Sequence, residues 1–282
     1  QPVSAVELLD RRSLRSVENQ PGMPTWVKDL SADACALLIE SRAASQSLLH
    51  EQLALIMASI TNFALEKCVE FSDDPLVYNQ LWKIRKDTFP AVGAVRQTGT
   101  TVIIEDVTFP IEQLAQGVNR LIELFERHGY DEAIIFGHAL EGNLHFVFTQ
   151  GFDDPAQVAR YEAFMHDVAQ LVAVEFGGSL KAEHGTGRNM APFVELEWGS
   201  DAYQLMWQIK RLLDPRGILN PDVVLSEDPQ IHLKHLKPLP AADEIVDKCI
   251  ECGFCEPVCP SQGLTLSPRQ RIVIWRDIQA KK

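Results

Sequence analysis

Cys249, Cys252, Cys255 and Cys259 stand within residues 249–259, and Pro260 follows the last of them. The Cys-x2-Cys-x2-Cys-x3-Cys-Pro spacing lets three thiolates wrap one iron–sulfur cubane while the fourth reaches toward a neighbouring cluster. Thiolates are soft ligands that suit such clusters, whereas zinc ribbons use separated cysteine pairs. The expectation is a 4Fe-4S site that is incomplete in this chain. A two-cluster unit needs a second such run, and Cys35 and Cys68 stand alone, far from the first. On this reading the natural protein continues beyond Lys282.

A second group of residues carries different chemistry. Gly137-His138-Ala139-Leu140-Glu141-Gly142-Asn143-Leu144-His145 and Lys181-Ala182-Glu183-His184-Gly185-Thr186-Gly187-Arg188 both place imidazoles in Gly-containing turns. If the first is a hairpin, His138 and His145 flank its turn and can approach one another. Two imidazoles and a carboxylate such as Glu183 make a divalent-metal site with open positions. The same residues also fit a turn in which His138 caps a strand end and His145 packs on the sheet. His184 is of the type best suited to proton transfer near neutral pH.

These residues need a scaffold. Pro2 to Asp10 reads as a strand closing in a polar turn, and Ala36 to Glu40 as a buried strand. Ser45 to Ser59 has amphipathic-helix spacing, and Phe63 to Phe71 reads as a further strand. A helix is predicted from Leu76 to Phe89, capped from Ser72-Asp73-Asp74 and stopped by Pro90. Residues 91–101 read as a Gly/Thr-rich loop and Thr101 to Phe109 as a β-branched strand. Pro110 opens a helix to His128. Ala133–His138 and Leu144–Thr149 form a hairpin. A long helix from Pro155 ends at Gly177-Gly178, and another spans Asp201 to Leu213. Hairpin-like strand pairs among helices indicate an α+β fold with a largely antiparallel sheet flanked by helices. The division is 1–226 for this domain, 227–244 for a linker holding Pro229, Pro238 and Pro240, and 245–282 for a truncated ferredoxin-type module.

Composition narrows the partners. With Lys+Arg 26 against Asp+Glu 39, the net charge of −13 argues against a nucleic-acid backbone as ligand. No apolar run approaches a membrane span in length. Clustered rather than dispersed cysteines suggest a reducing, cytoplasmic setting. Peripheral attachment at the inner membrane is a further expectation for the full-length protein.

Several stretches, taken in order, resemble the carboxy-terminal domain of FAD-linked oxidases of the vanillyl-alcohol-oxidase type. They are Leu81-Trp82-Lys83-Ile84-Arg85-Lys86, Glu105-Asp106-Val107-Thr108-Phe109-Pro110, the two histidine segments, and Leu213-Asp214-Pro215-Arg216-Gly217-Ile218-Leu219-Asn220-Pro221. The likeness runs over about residues 1–225, nearest to D-lactate dehydrogenases, D-2-hydroxyglutarate dehydrogenases and glycolate oxidase subunits. The cysteine module matches long bacterial members fused to an iron–sulfur half. The resemblance implies that His138, His145 and Glu183 bind a divalent metal, often zinc. It implies that His184 takes the substrate hydroxyl proton, that Arg85 grips the substrate carboxylate, and that Asn220 lies near the flavin. Read alone, Arg85 is also a solvated helix residue beside Lys83 and Lys86, Asn220 a turn cap before Pro221, and Arg188 either an anion binder or a surface charge.

The implied activity is oxidation of a D-2-hydroxy acid, D-lactate above others, to a 2-oxo acid. The C2 hydride passes to flavin N5, and electrons leave through the clusters to a quinone or cytochrome. No dinucleotide-type Gly-rich turn stands in the sequence, so FAD is expected to be held mostly by an amino-terminal half outside this chain, and the chain to be inactive alone. D-2-hydroxyglutarate and glycolate are alternative substrates. Many relatives have an acidic-Gly-Asn turn preceded by Gly, whereas this chain has Ala139-Leu140-Glu141-Gly142, with the spacing of both histidines kept. A lysine that some hydroxyglutarate-type members carry before the acidic-Val-Thr-Phe-Pro stretch is absent, which weighs against a dicarboxylate. A non-catalytic electron-transfer or scaffold subunit is the rival class.

Overall fold

The computed structural model describes residues 2–236 and 239–282, so Pro238 of the expected linker lies outside the described residues. Five strands form one sheet: β1 (Ala5–Leu9), β2 (Ala36–Glu40), β3 (Thr101–Thr108), β4 (Ile134–His138) and β5 (Asn143–Gln150), in the order β2-β1-β4-β5-β3. All neighbours pair antiparallel, and the fold is α+β. The helices are α1 (Arg11–Val17), α2 (Trp26–Asp29), α3 (Gln46–Ile60), α4 (Pro75–Val95), α5 (Leu114–Arg127), α6 (Pro155–Ala169), α7 (Val194–Leu213) and α8 (Pro268–Ala280). Among the described residues no helix is long and apolar enough to cross a membrane.

Strand alternation divides the core in two. One face of the sheet presents Ile135, Leu144, Phe146 and Phe148 to Leu121, Phe125, Phe164 and Val168 of α5 and α6. The other presents Leu9, Ile134, Phe136 and Val147 to Leu14 and Val17 of α1 and Ile84 and Val92 of α4. The central strands β4 and β5 are thus covered on both sides, which explains their nearly continuous apolar sequence.

Several sequence expectations need correction. Pro90 does not end α4; the helix runs on to Val95. A mid-helix proline costs about 3 kcal/mol, and burial of Ala91 and Val92 against the sheet offsets it. The segment 91–101 is therefore loop only beyond Val95. Ala36–Glu40 is a strand but an edge strand, with Leu37 exposed. Phe63–Phe71 forms no strand; Phe63 and Leu65 are exposed and no sheet edge is paired with them. α7 starts earlier than Asp201 and bends at Gly199, whose φ of 76° breaks the helical geometry. The stretch 227–244 includes a 3-10 turn at Ile231–Leu233 that buries Ile231 and His232.

Candidate active site and cysteine module

The β4–β5 hairpin positions the histidines. Its register sets His138 opposite Asn143 and Phe136 opposite His145, so the two histidines are diagonal neighbours on one face. Their ring centroids are 5.3 Å apart. Gly142 closes the turn at φ 71°, in the left-handed region, where a Cβ would also strike the Phe109 carbonyl oxygen. Cross-strand pairing then extends the polar row. Glu7 on β1 faces His138, and Asp106 on β3 faces His145. All four side chains share the α4 face of the sheet.

The Glu183-His184 loop is stitched to the edge strand. Thr108 and Ser179 exchange backbone hydrogen bonds of 2.9 and 3.0 Å. Asp106 Oδ2 then accepts the N–H groups of Ala182, Glu183 and His184 at 3.1, 2.6 and 3.1 Å. Burial raises the Asp106 carboxyl, but these N–H groups, with Lys181 and His184 nearby, more than reverse it and hold it below the usual range. The loop so held points Glu183 at both histidines. Its Oε1 lies 3.3 Å from His138 Nε2 and 3.0 Å from His145 Nε2. His184 stacks on His145 at 4.8 Å and turns Nδ1 toward Asp106 Oδ1, 3.7 Å away.

Arg85 comes from α4. Its Nε donates to Glu7 Oε2 at 2.8 Å, and its guanidinium lies 4.4 Å over the Phe136 ring. The alternative of a solvated helix residue is set aside, since its side chain is 14% exposed. His138, His145, Glu183, His184 and Arg85 therefore form one site. Asn220 stands apart from these five, exposed in a turn at φ 43°. That turn is tied to the histidine loop, because the Val224 N–H donates to the Gly187 carbonyl at 3.0 Å.

Donor atoms of His138, His145 and Glu183 lie within 4.8 Å of one another, as do those of Asp106, His145 and His184. Burial, then the charges of His184 and Arg85, push His145 down to about 4. It is neutral at pH 7, the state a metal ligand requires. Two imidazoles and a half-exposed carboxylate fit a divalent ion.

Sequence reading does not single out Glu7, and it meets Lys181 and Asp106 only as members of longer stretches. A lone carboxylate inside the apolar run Val6-Glu7-Leu8-Leu9 was the available signal, since an unpaired charge is rarely placed in a strand core. Lys181 pairs with Glu105 and lies 3.3 Å from Asp106 Oδ1.

The four cysteines of residues 249–259 are free thiols on one short segment, and among the described residues no three of their sulfur atoms gather within 4.8 Å of one another. Glu251 and Gly253 take left-handed backbone, which curls the segment, and the Glu251 N–H donates to Cys249 Sγ at 3.4 Å. Ser261 lowers the Cys259 thiol by hydrogen bonding. The N–H···S bond and the curled backbone are features compatible with thiolate ligation of a cluster, which requires the four sulfurs to converge.

Residues 1–224 match the family described as FAD linked oxidases, C-terminal domain. The chain belongs to that family. Residues 244–265 match the 4Fe-4S binding domain. Among curated relatives of these FAD-linked oxidases, glycolate oxidase subunit GlcD of Bacillus subtilis is 32% identical over 139 residues, covering 49% of this chain and 29% of the relative. The mitochondrial D-lactate dehydrogenase [cytochrome] of Arabidopsis thaliana is 30% identical over 220 residues, covering 78% and 37%. The mitochondrial D-2-hydroxyglutarate dehydrogenase of Danio rerio is 25% identical over 231 residues, covering 80% and 40%. The chain thus spans well under half the length of each of these relatives. A 4-ethylphenol oxidase from Gulosibacter chungangensis shares the fold, with a TM-score of 0.52 at 14% identity over 79% of this chain and 48% of that one.

Proposed function

We propose that the complete protein is a flavin-dependent D-2-hydroxyacid dehydrogenase, with D-lactate as the favoured substrate. It passes electrons through the iron–sulfur module to a quinone or cytochrome. The observation that carries this reading is the convergence of His138, His145 and Glu183 with His184 and Arg85 on one face of the sheet. A scaffold subunit has no use for that set. Relatives named for D-lactate, glycolate and D-2-hydroxyglutarate all act on 2-hydroxy acids, which supports the substrate class.

His138, His145 and Glu183 hold a divalent ion, zinc in this proposal, which supplies Lewis-acid polarisation when bound. FAD, held mainly outside this chain, supplies the redox chemistry. The chain's own side chains do the rest. Arg85 binds the substrate carboxylate through its Nη edge, a pairing suited to a guanidinium. His184, with Nδ1 toward Asp106, takes the hydroxyl proton at Nε2. The chain alone is inactive in this reading, and the full protein is cytoplasmic.

The test is the full-length protein assayed with D-lactate, D-2-hydroxyglutarate and glycolate and an artificial acceptor. D-lactate is expected to give the highest kcat/KM. His184→Ala is expected to cut kcat by about 10²–10⁴-fold. Turnover that survives this change intact removes His184 from the mechanism, and turnover of none of the three acids removes the reading.

A further inference from the structure

Glu7 is a carboxylate placed mid-strand between Val6 and Leu8, and it is only 4% exposed. A charge survives such burial when both oxygens meet charged or strongly polar donors. Here Oε1 lies 2.6 Å from His138 Nδ1, and Oε2 lies 2.8 Å from Arg85 Nε. The two contacts use the two arms of one rigid carboxylate, so they fix imidazole and guanidinium relative to each other. On the far side of the imidazole, Nε2 is 3.3 Å from Glu183 Oε1. The Arg85 charge is close enough to depress His145, so the guanidinium borders the same space. Among the described residues its two Nη groups make no hydrogen bond.

We propose that Glu7 is the positioning residue that joins the two halves of the substrate site: it keeps the hydrogen of His138 on Nδ1, leaving the Nε2 lone pair beside Glu183, and it sets the Nη edge of Arg85 at a fixed separation from that lone pair. The inference rests on the 2-hydroxyacid reading above. A neutral imidazole has one N–H and one lone pair, and its partners decide which nitrogen has which. An ionised carboxylate only accepts, so Nδ1 is the donor. The carboxylate behind it also strengthens Nε2 as a ligand. Because Oε2 occupies Nε, the outer face of the guanidinium is kept for an incoming carboxylate. A 2-hydroxy acid carries hydroxyl and carboxylate on adjacent carbons, so one such molecule offers a group to each of these two recognition elements.

The test uses the chain with ¹⁵N-labelled histidine and Co²⁺ as the probe ion. On the alkaline side of imidazole titration, His138 is expected as the Nδ1–H tautomer in the wild type. In Glu7→Met it should shift toward the Nε2–H form that free imidazoles favour. Co²⁺ affinity, read from visible absorption, should fall about 10–100-fold in Glu7→Gln, which keeps shape and loses charge. In the full-length enzyme Glu7→Gln should raise KM for the hydroxy acid more than it lowers kcat. Wild-type Co²⁺ affinity in Glu7→Gln, or an unshifted tautomer in Glu7→Met, overturns the proposal. If Glu7→Met does not fold, the isosteric Glu7→Gln decides by affinity. A wild-type chain that binds no Co²⁺ defeats the metal reading alone, because the tautomer then judges Glu7 without an ion.

Discussion

At the scale of single residues, Asp106 carries more structure than any other polar group near the site. It is fully buried, and one of its oxygens accepts three successive backbone N–H groups that lead into Glu183 and His184. Charged acceptors make the stronger hydrogen bonds, and orphaned buried N–H groups are costly. Asp106→Ala is therefore expected to destabilise the chain by about 2–4 kcal/mol in urea unfolding. The sign of the pH dependence follows from its depressed carboxyl. The unfolded chain takes up the proton first, near the ordinary value of 3.8, so the stabilisation is whole above that value. It is lost as the pH falls through the lower folded value. Asp106→Asn should flatten the acid limb of the stability–pH curve, and an acid limb identical to the wild type would assign that stability elsewhere.

At the scale of elements, close backbone approaches align the hairpin and the histidine loop. Gly142 has a φ of 71°, and a Cβ there would lie 2.2 Å from the Phe109 carbonyl oxygen. Gly22 has a similar φ of 83° but open space around it. The pair separates conformational strain from collision. Gly22→Ala should cost about 1 kcal/mol, from backbone strain alone. Gly142→Ala should cost clearly more, because Phe109 in the core must move as well. Equal urea midpoints for the two variants would remove the steric part of this account. The same reasoning explains Gly178, whose absent Cβ lets the loop bridge reach the Thr108 carbonyl.

At the scale of the whole molecule, α4 connects the two chemistries. Its middle carries Arg85 to the sheet, and its end meets the cysteine module. Arg96 and Arg276 donate to the Cys249 carbonyl at 3.0 and 2.9 Å, and Arg276 also binds the Val246 carbonyl at 2.8 Å. At Gly93 the helix surface is indented, and the Ile250 side chain fills the space where a Cβ would stand. Gly93→Val should expel Ile250 and loosen the module. The expected result is faster amide hydrogen exchange across residues 246–259 with β4 and β5 unchanged. Exchange that rises equally in the sheet would mean general destabilisation instead.

Local chemistry made the cysteine run, the α+β class and the hairpin around Gly142 legible in the sequence. Thiolate spacing, alternating hydrophobicity and turn residues are short-range properties, so neighbours along the chain suffice to read them. His138, His145, Glu183, His184 and Arg85 could be named from their order and resemblance, but their assembly could not be read. Their proximity depends on strand register, on Asp106 gripping a loop far along the chain, and on α4 continuing past Pro90. That continuation overrode a strong local stop signal because Ala91 and Val92 gain burial against the sheet. Phe63–Phe71 shows the converse: its strand-like residues form no strand although β2 and β3 stand at the sheet's edges, so local composition alone does not recruit a segment to the sheet. The apolar neighbours of Glu7 mark it in the sequence, but its role is not legible there, since the partners that justify a buried carboxylate, His138 and Arg85, are supplied only by tertiary packing.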